Sequence, residues 1–367
     1  MPRSLEILAG AERVTPPCVH FGVCGGCSFQ HVALSVLHEW KRGEIRRALA
    51  AHGIGNVDVA ETIAVPPRSR RRAVLTARRA KDGVTLGFME HRSHDVVAIT
   101  ECHVLDSKIV VALPGLRTIA MHALPEGVTA GIAVLLTASG LDACIQPQTR
   151  LRLDAALRQH LAGAAAQAGL ARLALGGDII AELRKPVVEI AGVPVTPPPE
   201  AFLQPTMEGE RALQNLVRGA VGGAKRVADL FAGCGTFTLA LARRASVHAL
   251  DSAADHLEAL SLAARHAQGL KPVTSERRDL FRRPFAGEEL ARFDAVVMNP
   301  PRAGAKAQSE ALAPSRVPCI AYVSCDPASF ARDAKILIDG GYHLGRVTPV
   351  DQFLWSPHAE LVAVFRR

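Results

Sequence analysis

Three cysteines near the N-terminus have the residue type and spacing of ligands to a metal ion or an iron–sulfur cluster. Cys18, Cys24 and Cys27 are separated by five and then two residues, and Gly25-Gly26 allows the backbone to wrap closely. A fourth thiolate is needed, and Cys102, at the end of a later extended segment, is the best candidate. Four thiolates suit either a [4Fe-4S] cluster or a tetrahedral zinc ion, so the spacing leaves both open.

A glycine-containing turn in the second half of the chain indicates a ligand site. Residues 226–242, RVADLFAGCGTFTLALA, predict an apolar strand, a turn and an apolar helix, and Gly233 and Gly235 permit close backbone approach. The turn lacks the third glycine of a dinucleotide fingerprint and the lysine of a phosphate-binding loop, which disfavours NAD and ATP. A nucleoside with a smaller charged tail fits better.

Polar residues follow the later predicted strands. The predicted strands 246–250, 293–298 and 319–324 run into Asp251, Asn299 and Cys325, and Asp279 closes another, weaker strand. Ligands bind at the carboxyl ends of parallel strands in open α/β sheets, and an acid at Asp251 is placed to accept hydrogen bonds from ribose hydroxyls. The sequence therefore predicts an α/β fold with a site at this edge.

These motifs together resemble the class I S-adenosylmethionine (SAM) dependent methyltransferases and, within them, the RNA uracil-5-methyltransferase family. The resemblance is carried by FLQ at 202–204, DLFAGCGTF, NPPRAG, VSCDP and HAE at 358–360, in the family's order, and it extends from Cys18 to the C-terminus. It implies a Rossmann-like methyltransferase domain preceded by a β-rich domain with an iron–sulfur site. It also implies a [4Fe-4S] cluster on Cys18, Cys24, Cys27 and Cys102. The SAM-binding residues that it implies are Gln204, Phe231, Thr236, Asp251, Asp279 and Asn299.

The resemblance implies catalytic roles for Cys325 and Glu360. Carbon 5 of uracil is a poor nucleophile, and attack of a thiolate on carbon 6 makes it reactive, after which a base must remove the carbon 5 proton. A buried core cysteine and a solvated glutamate are the plain alternatives. The Asp326-Pro327 turn at the strand tip argues against a buried Cys325, while His358 either orients Glu360 or only caps the turn.

The chain departs from the family pattern at three positions. Asn299 stands where aspartate is usual, and Thr206 and Thr236 stand where asparagine is common. An asparagine carbonyl can accept from uracil N3 while its amide donates to O4, a pairing that cytosine does not satisfy.

Composition and charge favour a nucleic-acid partner. The chain has 367 residues, 49% of them hydrophobic, which is enough for two buried cores, and its formal net charge is +8. No signal peptide or stretch of eighteen apolar residues is found, so we expect a cytoplasmic protein without a membrane partner. The resemblance favours ribosomal RNA as the substrate, with transfer RNA open as the alternative, and it implies a monomer. We expect no additional N-terminal β-barrel domain, since the cysteines begin close to the start.

The elements that position these residues fall into two predicted domains, residues 1–198 and 199–367, divided at a proline run. The first contains a helix at 38–52, a hairpin around Lys81-Asp82-Gly83 and a β-rich segment at 127–195 with one alanine-rich helix. The arginines of the hairpin are expected to contact RNA phosphates, with a solvated edge as the alternative; they are Arg68, Arg70, Arg71, Arg72, Arg78 and Arg79. The cysteines expected to be buried and inert are Cys144, Cys234 and Cys319.

Two other functions stay open at this point. Asn-Pro-Pro also opens the motif of methyltransferases that act on exocyclic amines, but Arg302 stands where those enzymes place an aromatic residue. The second alternative is a non-catalytic RNA-binding iron–sulfur protein. The presence of both Cys325 and Glu360 argues against this alternative.

Overall fold

The computed structural model describes residue 10, residues 12–149 and residues 151–367. These residues form two compact units. The first comprises the described residues up to Leu37 together with Pro66–Val187 and Leu354–Pro357, and the second comprises His38–Val65, Val188–Phe353 and His358–Arg367. The expected domain boundary lies at residues 198 and 199, whereas the chain passes between the units at residues 187 and 188 and at four other points.

The helices follow one another along the chain as α1 Leu34–Ala51, α2 Ser107–Ala123, α3 Ala155–Gln167, α4 Met207–Val221, α5 Thr238–Leu241, α6 Ala254–His266, α7 Glu288–Ala291, α8 Lys306–Leu312 and α9 Pro327–Asp339. The strands are β1 Ile63–Ala64, β2 Arg72–Ala80, β3 Gly83–Met89, β4 Val96–Ala98, β5 Thr129–Thr137, β6 Gly140–Pro147, β7 Arg172–Leu175, β8 Asp178–Glu182, β9 Val188–Ile190, β10 Val193–Val195, β11 Arg226–Leu230, β12 Ser246–Asp251, β13 Val273–Arg277, β14 Ala295–Met298, β15 Cys319–Ser324, β16 His343–Asp351 and β17 Glu360–Arg366.

The first unit is a seven-stranded sheet in the order β4-β3-β2-β5-β6-β7-β8. The predicted hairpin is confirmed: Ala80 pairs with Gly83, so Lys81 and Asp82 alone form the turn between β2 and β3. The predicted alanine-rich helix is α3, which Asp154 caps by accepting a hydrogen bond from Leu157 N over 2.8 Å. Leucines from the sheet and from α2 and α3 pack in one core, so the helices cover a face of this sheet.

Helix α2 is not predicted by any of the sequence patterns above. Pro114 lies inside it and would ordinarily interrupt a helix. Asp106 caps its N-terminus through Lys108 N, and Ile109, Leu113 and other apolar residues of α2 are buried. Tertiary burial therefore outweighs the local cost of the proline.

The second unit contains an eight-stranded sheet in the order β1-β16-β17-β15-β14-β11-β12-β13. Neighbouring strands from β13 to β15 are parallel, whereas β17 runs antiparallel between β15 and β16. Successive residues of β11, Val227 and Ala228, belong to different apolar cores, as do Tyr322 and Val323 of β15. Since strand side chains alternate between faces, both faces of this sheet are covered, as the near-continuous apolar runs predict.

Local boundaries differ from the predicted ones in three places. The helix after the glycine turn begins at Thr238 and has only four residues. Strand β13 ends at Arg277, so Asp279 lies two residues beyond it, and β14 begins at Ala295 rather than Phe293. Among the residues that the structure describes, no helix is both long and apolar enough to cross a membrane.

Candidate active site

Two predicted catalytic residues lie at the same end of the sheet of the second unit. Ser324, the last residue of β15, pairs with Leu361 of the antiparallel β17. Cys325 is the next residue after Ser324, and Glu360 is the residue before Leu361, so the two stand opposite each other at adjoining strand ends. A thiol and a carboxyl group are thereby brought together from positions that are 35 residues apart in the sequence.

The carboxyl group of Glu360 is buried and held by an amide. Only 3% of Glu360 is exposed, and Gln352 Nε2 donates to Glu360 Oε2 over 2.9 Å. The same Nε2 donates to Gln204 Oε1 over 2.7 Å, which joins the predicted cofactor residue Gln204 to the predicted base. Burial raises the pKa of Glu360 to about 7, although the hydrogen bond from Gln352 opposes this shift. Such a carboxyl group is suited to exchange a proton near neutral pH.

Gln352 is a site residue that the sequence patterns did not indicate. It follows Asp351, the last residue of β16, whose carboxylate accepts from buried Lys41 Nζ at 2.5 Å and from His38 Nε2 at 3.1 Å. Burial opposes ionisation of Asp351, but the hydrogen bonds from His38 and Lys41 and the charge on Lys41 keep its pKa below the usual value. The lysine also donates to Phe353 O over 3.1 Å. Helix α1 thus anchors the backbone on both sides of Gln352.

The thiol of Cys325 is half-buried at the mouth of the loop between β15 and α9. Asp326 caps α9 by accepting from Ser329 N over 2.8 Å, and Arg302 Nε donates to Asp326 Oδ2 over 3.3 Å. Burial raises the pKa of Cys325 to about 11, and the charges of Glu360 and Asp326 act in the same direction, while Arg302 lowers it. The thiol therefore rests in its protonated form and needs a proton acceptor before it can attack.

The glycine turn packs closely against the neighbouring strand. Asp251 Oδ2 accepts from Gly233 N over 2.8 Å, so the acid at the tip of β12 also fixes the turn. Phe231 adopts a left-handed backbone conformation with φ of 62°, and its ring centroid lies 5.5 Å from that of half-exposed Phe281. A side chain at Gly235, whose φ is 94°, would meet Leu260 at 2.4 Å. This glycine is required both by its conformation and by close packing.

A buried acid beside this turn was not singled out by the sequence patterns. Asp229 in β11 is fully buried; its Oδ2 accepts from Thr238 Oγ1 over 2.5 Å, while Oδ1 has no hydrogen-bond partner. Burial raises the pKa of Asp229 to about 7. An unpartnered carboxyl oxygen next to a glycine turn fits a ligand that carries positive charge, as SAM does. An acid within an otherwise apolar strand was the signal that could have identified it.

The other predicted cofactor residues occupy different surroundings. Asn299 directly follows β14 and is half-buried, and its backbone N donates to Leu230 O over 3.2 Å. Thr236 is buried, and its carbonyl accepts from Gln214 Nε2. Asp279 is exposed and accepts from Phe281 N over 3.0 Å. Thr206 caps α4 through Gly209 N, which is a structural role.

The four cysteines predicted as ligands line one cavity of the first unit. Its volume is about 330 Å³, and its lining includes Cys18, Cys24, Cys27 and Cys102 together with apolar side chains. Burial and, less strongly, the charges of the other three thiols raise the pKa of the Cys27 thiol to about 12, while a hydrogen bond with Gln30 opposes this shift. Among the described residues, no three His, Cys, Asp or Glu side chains are grouped as they would be around a metal ion. The cysteines expected to be inert, Cys144, Cys234 and Cys319, are buried, as predicted.

The prediction that the hairpin arginines contact RNA phosphates is wrong for Arg71. Arg71 is only 4% exposed, and its carbonyl accepts from Leu136 N over 2.7 Å. Arg70 and Arg72 line the cysteine cavity, and Arg70 Nε donates to Arg72 O over 2.9 Å. Burial lowers the pKa of Arg70, while Cys102 and Cys27 oppose that shift. Of the predicted set, Arg68 is exposed, and Arg78 pairs with Asp95 at 3.1 Å.

Comparisons with known proteins indicate the family of the chain. Residues 193–367 match the family model described as tRNA (Uracil-5-)-methyltransferase. An uncharacterized RNA methyltransferase of Rhizobium meliloti is 46% identical, with 98% of this chain and 87% of that protein covered. A 23S rRNA (uracil(1939)-C(5))-methyltransferase of Chromohalobacter salexigens is 32% identical, with 99% of this chain and 78% of that protein covered.

A solved structure shares the fold over almost the whole chain. It is the Pyrococcus abyssi tRNA (uracil-54, C5)-methyltransferase in complex with S-adenosyl-L-homocysteine, with a TM-score of 0.73 at 22% identity. The match covers 98% of this chain and 87% of that one. The chain therefore belongs to the RNA uracil-5-methyltransferase family and is a SAM-dependent RNA methyltransferase.

Proposed function

We propose that this enzyme methylates carbon 5 of a specific uridine in RNA through a covalent bond between Cys325 and carbon 6 of the base. The observation that carries the proposal is the pairing of Ser324 with Leu361, which sets Cys325 opposite the buried carboxyl group of Glu360. A nucleophile and a proton acceptor are the two groups that this chemistry requires from the protein.

In the proposed reaction, the Cys325 thiol gives its proton to solvent water and its sulfur adds to carbon 6. The electron pair of the carbon 5–carbon 6 double bond moves onto the ring as an enolate, so that carbon 5 becomes nucleophilic. When bound, SAM would supply the methyl group that carbon 5 accepts, its methyl–sulfur bond would break, and it would leave as S-adenosylhomocysteine. Carbon 5 then carries both a methyl group and its original hydrogen. Loss of that hydrogen as a proton restores the double bond and expels the Cys325 thiolate.

Glu360 is the proposed acceptor of the carbon 5 proton. Its pKa of about 7 supports this role, because the group can hold the proton after taking it and release it to solvent between turnovers. Gln352 keeps Oε2 oriented by donating a hydrogen bond over 2.9 Å. His358 is exposed, and its ring lies 6.0 Å from that of Phe353, which supports a peripheral position rather than a role as base.

SAM is proposed to bind at the carboxyl ends of β11 to β14. Asp251 at the tip of β12 is the proposed acceptor for ribose hydroxyls, and Phe231 with Phe281 offers aromatic surface for a purine. The unpartnered Oδ1 of Asp229 supports a cationic ligand. The proposed contacts further include Gln204, Thr236, Asp279 and Asn299. Asn299 is also the proposed reader of uracil N3 and O4.

A [4Fe-4S] cluster on Cys18, Cys24, Cys27 and Cys102 is proposed for the cavity of the first unit. The cavity of about 330 Å³ lined by all four thiols supports a group larger than a single ion. The half-buried guanidinium of Arg70, near Cys102 and Cys27, would offset the negative charge of thiolate ligands. The proposed cluster supports the first unit and takes no part in methyl transfer.

The proposed substrate is ribosomal RNA, bound by a monomer. A relative that is 32% identical over 99% of this chain has its activity on 23S rRNA in its name, which supports this choice over transfer RNA. The net charge of +8 supports a polyanionic partner.

Mapping of 5-methyluridine in total RNA from cells with and without the gene tests the proposal. The expected result is loss of one 5-methyluridine in 23S rRNA, restored by the wild-type gene but not by a gene encoding Cys325→Ala. Loss of the mark from transfer RNA instead would overturn the choice of ribosomal RNA. An unchanged set of 5-methyluridines would overturn the proposed reaction.

A further inference from the structure

A buried carboxylate on α9 connects one loop of the proposed active site to the strand that precedes Cys325. Asp333 is fully buried, and its Oδ2 accepts from the backbone N of Ala305 over 2.6 Å. The same oxygen accepts from Tyr322 Oη over 2.7 Å. Tyr322 is itself fully buried in β15, the strand that runs into Cys325. One oxygen atom therefore links the end of the NPPRAG loop to the strand that carries the cysteine.

Two neighbouring side chains on the same face of α9 hold the preceding residues of that loop. Ser329 Oγ donates to Arg302 O over 3.0 Å, and Arg332 Nη2 donates to Ala303 O over 3.0 Å. Arg332 also pairs with Asp333 Oδ1 at 2.7 Å. On a helix, residues 332 and 333 each lie about one turn beyond residue 329, so all three side chains can reach one stretch of the loop. The backbone of the loop is thus hydrogen-bonded at residues 302, 303 and 305 by side chains from about one turn of α9.

Gly304 shows how closely the loop approaches this turn. Its φ is 76°, and a Cβ there would lie 2.6 Å from Arg332 Nη2, 2.7 Å from Asp333 Oδ2 and 2.9 Å from Ser329 Cβ. A side chain at this position would have to displace the loop from the helix. Gly304 therefore packs against the same three side chains that hydrogen-bond the loop.

We infer that Asp333 is a positioning residue that fixes the loop bearing Asn299 and Arg302 relative to Cys325. The inference rests on the proposed role of Cys325 as nucleophile. The pairing of Met298 with Tyr322 fixes the start of the loop beside the cysteine-bearing strand. Asp333 fixes the far end of the loop, because it binds Ala305 N and the hydroxyl of Tyr322.

The test uses three variants of the full-length protein and one control. Asp333→Asn removes the charge, Tyr322→Phe removes one donor and leaves the Ala305 bond, and Gly304→Ala keeps every hydrogen-bonding group but displaces the loop. Asp339→Asn is the control, since Asp339 lies on the same helix, exposed and paired with Lys335.

Two readouts are combined. Amide hydrogen exchange, followed by mass spectrometry, should become faster in peptides covering residues 299–305 in all three variants and stay unchanged elsewhere and in the control. The rate of covalent adduct formation with RNA that contains 5-fluorouridine should fall by about 10- to 100-fold in Asp333→Asn and Gly304→Ala, since misplaced groups react slowly.

The outcomes distinguish failure of the proposed nucleophile, Cys325, from failure of the proposed positioning role of Asp333. Wild-type protein that forms no adduct would overturn the proposed nucleophile, while the exchange measurement would still decide whether Asp333 holds the loop. Wild-type exchange and wild-type adduct rates in Tyr322→Phe and Gly304→Ala would overturn the positioning role. If Asp333→Asn exchanges rapidly everywhere and is misfolded, the other two variants decide.

Discussion

The amide of Gln352 donates a hydrogen bond to Glu360 Oε2 over 2.9 Å and holds a buried carboxyl group whose pKa is about 7. This bond stabilises the ionised form, so it limits how far burial raises the pKa. The pH at which Glu360 ionises, and could act as the proposed base, therefore depends on a neighbour that does not ionise.

Replacement of Gln352 by leucine should move the pH dependence of adduct resolution. Without the hydrogen bond, the pKa of Glu360 rises further, so a smaller fraction is ionised at neutral pH. In wild-type enzyme, resolution of the methylated adduct should become faster as the pH rises through about 7. In Gln352→Leu the midpoint should lie at higher pH, as measured by rapid quench at several pH values. A midpoint that does not move would show that Gln352 has no influence on the base.

Replacements of Cys325 and Glu360 should block the reaction at different steps. Cys325→Ala should form neither adduct nor product while it still binds SAM, because the nucleophile is missing. Glu360→Gln should accumulate a methylated RNA–protein adduct, visible on a denaturing gel, because the carbon 5 proton stays in place. Normal turnover in Glu360→Gln would exclude Glu360 as the base, and a bound water or His358 would then be considered.

Replacement of Cys102 by serine should reduce the iron content of anaerobically purified protein. Wild-type protein should contain about four irons per chain, as expected for a cubane cluster on four thiolates. A site with three thiolates should lose metal during purification and show weaker visible absorption. Cys144→Ser provides the control, because Cys144 is buried on β6 and is not among the residues that line the cavity. Zinc instead of iron in elemental analysis would contradict the cluster assignment.

Two neighbouring arginines should behave differently when replaced by alanine. Arg68 is exposed, so Arg68→Ala should weaken RNA binding across sequences and reduce the salt slope by about one, without loss of stability. Arg71 is buried, so Arg71→Ala should lower the unfolding temperature instead. Binding titrations at several salt concentrations and thermal unfolding distinguish the two. An unchanged slope for Arg68→Ala would mean that this residue does not contact phosphate.

Removal of the Asp142 carboxylate should destabilise the first unit. Arg172 donates from Nε to Asp142 Oδ1 over 2.9 Å and from Nη2 to Oδ2 over 2.7 Å, and both side chains are buried. Asp142→Ala leaves a buried cation and should cost about 3–5 kcal/mol of unfolding free energy in denaturant titrations. Asp95→Ala removes the partner of Arg78 from an exposed pair and should cost only ~0–1 kcal/mol. Equal losses of unfolding free energy in the two variants would contradict the expectation that the buried pair matters more.

The strand ends of the second unit could be predicted because each apolar run stops at a polar residue. Asp251 ends one parallel strand, and Asn299 and Cys325 directly follow two others, all at the same edge, as the spacing indicates. The partners of the buried polar groups could not be predicted in this way. Gln352 and Gln204 are 148 residues apart, and nothing local to either position indicates their hydrogen bond.

The arginine run shows a different limit of sequence reasoning. Consecutive charges at 70–72 suggest side chains that are all exposed. Arg71 is nevertheless buried, because side chains next to and along β2 alternate between the two faces of the sheet. Charge type alone did not reveal which face each residue takes. The loop contacts of Asp333 were hidden for a similar reason, since one acid in an amphipathic helix has no signature of the backbone that it binds.

The position of β17 between β15 and β16 has a consequence for the order in which the protein is made. Both neighbours leave the ribosome before residues 360–366, so each has an unpaired edge until the seven residues of β17 emerge. Unpaired edges invite association with other nascent chains. A stop or a long pause before residue 360 should therefore yield an aggregating polypeptide rather than a folded enzyme lacking a tail. Because Glu360 is the first residue of that same strand, completion of the sheet and acquisition of the proposed base occur in a single step of synthesis.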